Sequence, residues 1–411
     1  MKPSLRSGMV AAALIIAVTA SSCATRGAEA GGESGDVKTD FGVTADTITI
    51  GAMSDLSNVF AGLGRTLVDG NRLYFNERNA DGGICGRQVE LEVADHAYDV
   101  QKATSQFVDL EKDVLGFVQL LGSPVIAALS PQIATTGAIT IPATWSTDWI
   151  GKEGLVVVGA SYPGEIINGL DHLMREGLIA EGDTIGHVYF EGDFGGNALL
   201  GSQYVAKEAG LELEAIAVDP TATDLTAQVN QLANAEVDAI LVSAGPRQTA
   251  SIAGVAAASG LDVPILTNGP GFDPALLDTP VGGALKDNLR VITSYEPFAG
   301  DSVTAQQVAE AYEGDDPTIY VNYGYASAAV MGQALDQACE NGDLTRAGVA
   351  SALRSLDAVD TGLMPVMDLT DGSVMPTNET FVSVVDPDQA GGLTVVEEPF
   401  ASELAEEFAA Q

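Results

Sequence analysis

From Thr47 onward the chain alternates short apolar, β-branched runs with longer stretches in which apolar residues recur every three to four positions. The first kind predicts strands at Thr47–Met53, Gln88–Ala94, Leu115–Leu121 and Ile139–Ala143, then at Thr184–Phe190, Glu212–Val218, Ala239–Ser243, Pro264–Thr267 and Leu289–Thr293. The second kind predicts helices between them, at Arg65–Asn79, Val100–Lys112, Pro124–Thr136, Gly164–Glu176, Gly195–Ala209, Leu225–Ala235 and Arg247–Ser259. Strands separated by helices give parallel sheets covered on both faces. Runs such as Ile240-Leu241-Val242 have the unbroken apolar character of strands buried on both sides. The alternation divides into two sets of βα units near Gly159–Pro163. After Glu296 the pattern changes to helices at Val303–Tyr312, Tyr320–Glu340 and Arg346–Leu356, followed by a β-rich part, Val366–Val396.

The N-terminus has a different character. Lys2 and Arg6 precede an apolar run of about eleven residues, Val10 to Ala20, which is the length of a signal-peptide core and too short to span a bilayer. Ala20-Ser21-Ser22-Cys23 then resembles a bacterial lipobox, in which Cys23 is acylated and becomes the new N-terminus. The alternative is an ordinary secretory cleavage nearby that removes Cys23 or leaves it idle. Residues 1–22 are thus expected to be a signal peptide. Residues 23–44, rich in Gly, Ala, Ser and charge, are expected to form a flexible tether, with the folded body starting near Ala45.

Charge narrows the list of partners. Fifty-seven acidic residues against 18 Lys and Arg give a formal net charge of −39, which repels nucleic acid and anionic lipid. If Cys23 is acylated, Cys85 and Cys339 are left as an even pair in an oxidising compartment, which predicts a disulfide between them. No metal site is expected: the three His residues (His96, His172 and His187) lie at no ligand spacing from these cysteines. Gly62-Leu63-Gly64-Arg65-Thr66 lacks the Lys and the spacing of a phosphate loop, and neither H-E-x-x-H nor G-x-S-x-G occurs. No enzyme and no cofactor are indicated.

In open parallel sheets, ligands lie outside the C-terminal strand ends. Gly122-Ser123-Pro124 is the sharpest such end, since a Ser followed by Pro opens a helix whose free N–H groups and hydroxyl can hold a carboxylate. A plain helix cap with no ligand is the alternative. Thr144 and Ser146 follow the neighbouring strand and add hydroxyls, and Asn268 ends a strand in the second set. Phe60, Trp145, Trp149, Tyr162 and Phe194 fall in or near these loops and could wall a pocket, although each could equally be a packing residue.

Several of these segments together resemble a known family. Ile50-Gly51-Ala52-Met53-Ser54, Asp81-Gly82-Gly83-Ile84, Gly122-Ser123, Ala143-Thr144-Trp145-Ser146, Asp193-Phe194-Gly195 and Tyr323-Gly324-Tyr325-Ala326 resemble, in order and spacing, the leucine/isoleucine/valine-binding proteins. These are type I periplasmic binding proteins of ABC importers. The resemblance spans about Thr47 to Val385. It implies an α/β fold of two Rossmann-like lobes with parallel sheets joined by a three-segment hinge: residues 45–160 with 296–360 as lobe 1, and 161–295 with 361–400 as lobe 2. It implies a small solute, the permease subunits of an importer as partners, and a membrane reached through Cys23. The family's carboxylate-binding Ser falls on Ser123, its next pair on Thr144 and Ser146, and its aromatics on Phe60 and Phe194. Its acidic partner for a ligand ammonium has no counterpart at Asn268–Gly271, where Asp273 and Glu165 are the nearest substitutes. The expected function is capture of a branched-chain amino acid, amide or carboxylate by hinge closure. The alternatives are a surface receptor for a signalling partner and, further off, an extracellular hydrolase.

Overall fold

The computed structural model describes residues 37–411, so the expected signal peptide, Cys23 and most of the expected tether lie outside the described residues. The first unit holds a four-stranded, all-parallel sheet in the order Gln88–Asp95, Thr47–Ser54, Phe117–Leu121, Thr140–Ala143. Helices Ala61–Ala80 and Ile319–Glu340 pack on each other and on this sheet, as do Val100–Leu110 and Ser123–Thr136. The second unit holds seven strands in the order Leu393–Phe400, Thr380–Val385, Leu289–Thr293, Ile265–Asn268, Ala239–Ser243, Thr184–Phe190, Glu212–Val218. Its last five are parallel, and the two C-terminal strands extend one edge antiparallel. Ile240, Leu241 and Val242 are completely buried, as expected for a strand covered on both faces.

The chain passes between the sheets three times: between Ala143 and Thr184, between Thr293 and Ile319, and before Thr380. Aromatic rings bundle these passages. Trp145 packs edge-on against Tyr323 at 4.7 Å, stacks on Tyr295 at 5.7 Å and meets Tyr162 at 5.8 Å.

Three details depart from the sequence expectation. The folded body includes residues ahead of Ala45: Lys38–Thr39 pairs in parallel with Asp343–Leu344, Asp40 accepts the Arg346 N–H, and the Arg346 guanidinium lies 4.2 Å over the Phe41 ring. These contacts give the polar segment the partners that its own composition does not supply. Secondly, residues 366–376 do not leave the first unit at 361. Leu369 N donates to Leu356 O, Gly151 N donates to Gly372 O, and Val359 bridges Met367. Thirdly, the C-terminal β-rich part contains only the strands Thr380–Val385 and Leu393–Phe400, and a helix, Glu403–Ala409, follows them.

Cys85 and Cys339 are disulfide-bonded across 254 residues of chain, tying the Ile84–Arg87 turn to the end of helix Ile319–Glu340. Cross-links of this kind typically contribute ~2–4 kcal/mol, largely by restricting the unfolded chain.

Candidate functional site

A pocket of about 340 Å³, counting its open mouth, lies between the two sheets. Leu121 and Ala143, the last residues of two first-unit strands, form part of its floor. Gly122 follows at φ +104°, a conformation that favours glycine, and a Cβ there would meet the Tyr98 ring at 2.6 Å. Gly122 therefore lets Tyr98 lie against the strand end while Ser123 begins its helix. Tyr98 is held in place by its N–H, which donates to His96 Nδ1 at 3.0 Å.

Phe60 forms the opposite wall with Leu63. Its loop is set by Asp55, whose Oδ1 accepts the Ser57 and Asn58 N–H groups and whose Oδ2 accepts that of Phe60. The Phe60 and Tyr98 rings meet at 5.1 Å. Trp145, Tyr162, Phe194 and Pro270 complete the lining from the crossovers and the second unit. Tyr162 and Phe194 contact each other at 4.7 Å. A second hollow of about 300 Å³ shares Phe60, Leu63 and Pro270 with the first and continues toward Phe272, Asp273 and Tyr320.

Five of the eight residues expected at the site line this pocket: Phe60, Ser123, Trp145, Tyr162 and Phe194. Thr144 stands next to it, 99% buried, with its Oγ1 3.3 Å from Ser123 Oγ. Ser146 does not join them. Its hydroxyl accepts the Asp148 N–H at 3.1 Å and caps the short turn Thr147–Trp149. Asn268 also lies off the pocket, in a buried chain of hydrogen bonds inside the second unit. That chain runs from Ser202 Oγ to His187 Nδ1 (2.8 Å), His187 Nε2 to Ser243 Oγ (3.0 Å), Ser243 Oγ to Asn268 Oδ1 (2.7 Å) and Asn268 Nδ2 to Glu165 Oε2 (2.6 Å). Burial lowers the His187 pKa to about 3, so the ring is neutral and serves as a structural link. Burial pushes the Glu165 carboxyl well above the usual carboxylate range, against the bonds from Asn268 and the Ser294 N–H. Of the two acids nearest the empty counter-charge position, neither lines the main pocket. Glu165 is sealed within its lobe, and Asp273 caps the turn Pro274–Asp278 at the margin of the second hollow.

Sequence reasoning missed Tyr98 and Asp193. Tyr98 follows the end of strand Gln88–Asp95, so the strand-end rule could have reached it. Asp193 opens the helix Asp193–Ala209, and its Oδ2 accepts from two first-unit groups, Thr144 Oγ1 and Trp149 Nε1, each at 3.2 Å. One turn later Asn197 accepts the Thr147 N–H at 3.1 Å and donates to Thr147 Oγ1 at 2.7 Å. These bonds span the cleft, so the two units are closed on each other along this edge.

Two α/β units, three crossovers and a pocket enclosed between them define a hinged, two-lobed binding protein. Residues 47–391 match the model of the periplasmic binding protein family, and the chain belongs to that family, with the type I fold. A fatty acid ABC transporter substrate-binding protein from Thermomonospora curvata is 41% identical, covering 91% of this chain and 97% of its own, with a TM-score of 0.88. A branched-chain amino acid ABC transporter protein from Thermus thermophilus, solved with bound valine, shares the fold at 19% identity, with a TM-score of 0.79 and coverage of 90% and 100%. A leucine-binding protein from Thermotoga maritima does so at 19% identity, with a TM-score of 0.73 and coverage of 87% and 99%. No curated protein sequence matches. Among the described residues no helix is long and apolar enough to cross a membrane.

Proposed function

We propose that this protein is the extracytoplasmic solute-binding component of an ABC importer, and that its solute has an apolar body and one small polar head. The observation that carries the reading is the lining of the cleft. Phe60, Leu63, Tyr98, Leu121, Trp145, Tyr162, Phe194 and Pro270 make an almost continuous apolar and aromatic wall, and Ser123 with Thr144 provides hydroxyls at one end. Such a wall suits an aliphatic chain better than a zwitterion, whose two charges would each need a partner. The relative named for fatty acids supports the same class. The solute contacts both lobes at once and so favours the closed form, which is the form offered to the permease.

Lipidation at Cys23 belongs to this proposal. The apolar run Val10–Ala20 and the small residues before Cys23 support it. An acylated protein stays with the membrane, and Cys23→Ser should release it to the medium.

The test of the solute is a thermal-shift series on residues 37–411 with octanoic acid, octanamide, leucine and valine. A ligand that binds only the folded form must raise the melting temperature. Octanoic acid or octanamide should raise it, and Ser123→Ala should weaken the affinity by roughly 1 kcal/mol, the worth of one hydrogen bond. A shift with leucine or valine alone would overturn this choice of solute.

A further inference from the structure

An acid, Asp193, stands beside the polar end of the cleft, bonded to Thr144 and just outside the pocket lining itself. No Lys, Arg or His lines the pocket. Thr144 Oγ1, 3.3 Å from Ser123 Oγ, donates to Asp193 Oδ2. The second oxygen of that carboxylate, Oδ1, is buried and has no hydrogen-bond partner among the described residues. A buried acceptor without a donor is costly, and a ligand that brings one removes the cost.

We propose that Asp193 selects the head group of the solute: the ligand donates a hydrogen bond to Asp193 Oδ1 and accepts one from the hydroxyl of Ser123, the Thr144 proton being already committed to Asp193 Oδ2. A carboxylic acid then binds with its proton, and an amide binds in the same way. A free carboxylate is disfavoured, because two carboxylates in a desolvated space hold one proton between them. An ammonium would bring three donors to a place with one free carboxylate oxygen. This inference rests on reading the cleft as the solute site, and it names the chemistry of the head.

The titratable groups around Asp193 are phenols and carboxyls. Tyr98 and Tyr162 feel its charge, and burial raises both phenols above their ordinary range, so they stay neutral. Asp55 acts on Tyr98, and Glu165 acts on Tyr162. Asp148 lies in the turn that carries Trp149. Helix Ser123–Thr136 contains no charged residue, and every charge named here is acidic.

The experiment is titration calorimetry of the mature chain with octanoic acid, octanamide and methyl octanoate at pH 5.5 to 8. Octanoic acid should weaken about tenfold for each pH unit in which it is ionised when free and one proton is taken up on binding. Octanamide should bind equally across the range, and the ester, which has no donor, should bind at least tenfold more weakly than the amide. Asp193→Asn should flatten the octanoate profile and tighten it at pH 8. Trp149→Phe loses a bond to the same carboxylate without touching the head and should keep the wild-type slope. Octanoate binding that does not change with pH in the wild type, or an unchanged slope in Asp193→Asn, would overturn this inference and leave the solute site standing. If none of the three probes binds at any pH, the reading of the cleft fails and the inference falls with it.

Discussion

Two carboxylates sit on the first turns of helices that begin at the cleft, and they do opposite work. Glu165, in helix Tyr162–Arg175, is 98% buried and bonded to Asn268 of its own lobe. Asp193, at the start of helix Asp193–Ala209, takes both of its side-chain donors, Thr144 and Trp149, from the other lobe. A helix N-terminus favours negative charge, but at Glu165 burial outweighs this and favours the protonated acid. The difference lies in the partners. Glu165 depends on the lobe being folded, whereas the partners of Asp193 depend on the two lobes being together. Chemistry that looks equivalent in sequence is therefore divided between stability and closure.

The largest effect should come from removing the buried acid. Glu165→Ala leaves the Asn268 amide unpaired and opens a cavity, which should cost about 3 kcal/mol in unfolding free energy measured with urea. Asp193→Ala should cost the ligand-free protein much less, and equal losses would break the contrast. A smaller effect concerns pH. The Glu165 pKa is raised in the folded state, so the folded protein holds the proton more tightly than the unfolded one. The stability it contributes is complete below the ordinary Glu value of about 4.3 and is lost as pH rises through the folded value. In Glu165→Gln, melting temperature against pH should lose this decline above pH ~4.3. The smallest effect is on closure alone. Asn197→Ala deletes two bonds across the cleft edge and should weaken ligand binding by roughly 1 kcal/mol, with the melting temperature of the free protein unchanged. A lowered melting temperature with unchanged affinity would assign Asn197 to the fold instead.

Much of the architecture was legible because periodicity and strand-end punctuation are local. The apolar run Ile240–Val242 and the helix opening at Ser123-Pro124 carry their meaning within a few residues. The antiparallel edge was not legible, since nothing in Thr380–Val385 states the direction of its neighbours. At the site, the strand-end rule brought Phe60, Ser123, Trp145, Tyr162 and Phe194 to one pocket, but it gives loops and not side-chain directions. It could not tell that Ser146 is engaged in capping its own turn or that Asn268 points into the lobe. Asp193 was in view beside Phe194, yet its meeting with Thr144 joins residues 49 positions apart on different lobes. No local pattern encodes that distance.

The only two tryptophans in 411 residues are Trp145 and Trp149. One lines the pocket, and the other offers its indole N–H to the opposite lobe. Light absorbed by indole in this molecule is thus absorbed at the cleft and nowhere else. Opening the lobes exchanges the Asp193 carboxylate for water at Trp149, and a solute touches Trp145 directly. The indole emission of the unlabelled protein, excited on the red edge where its ten tyrosines do not absorb, is accordingly an optical record of occupancy and closure.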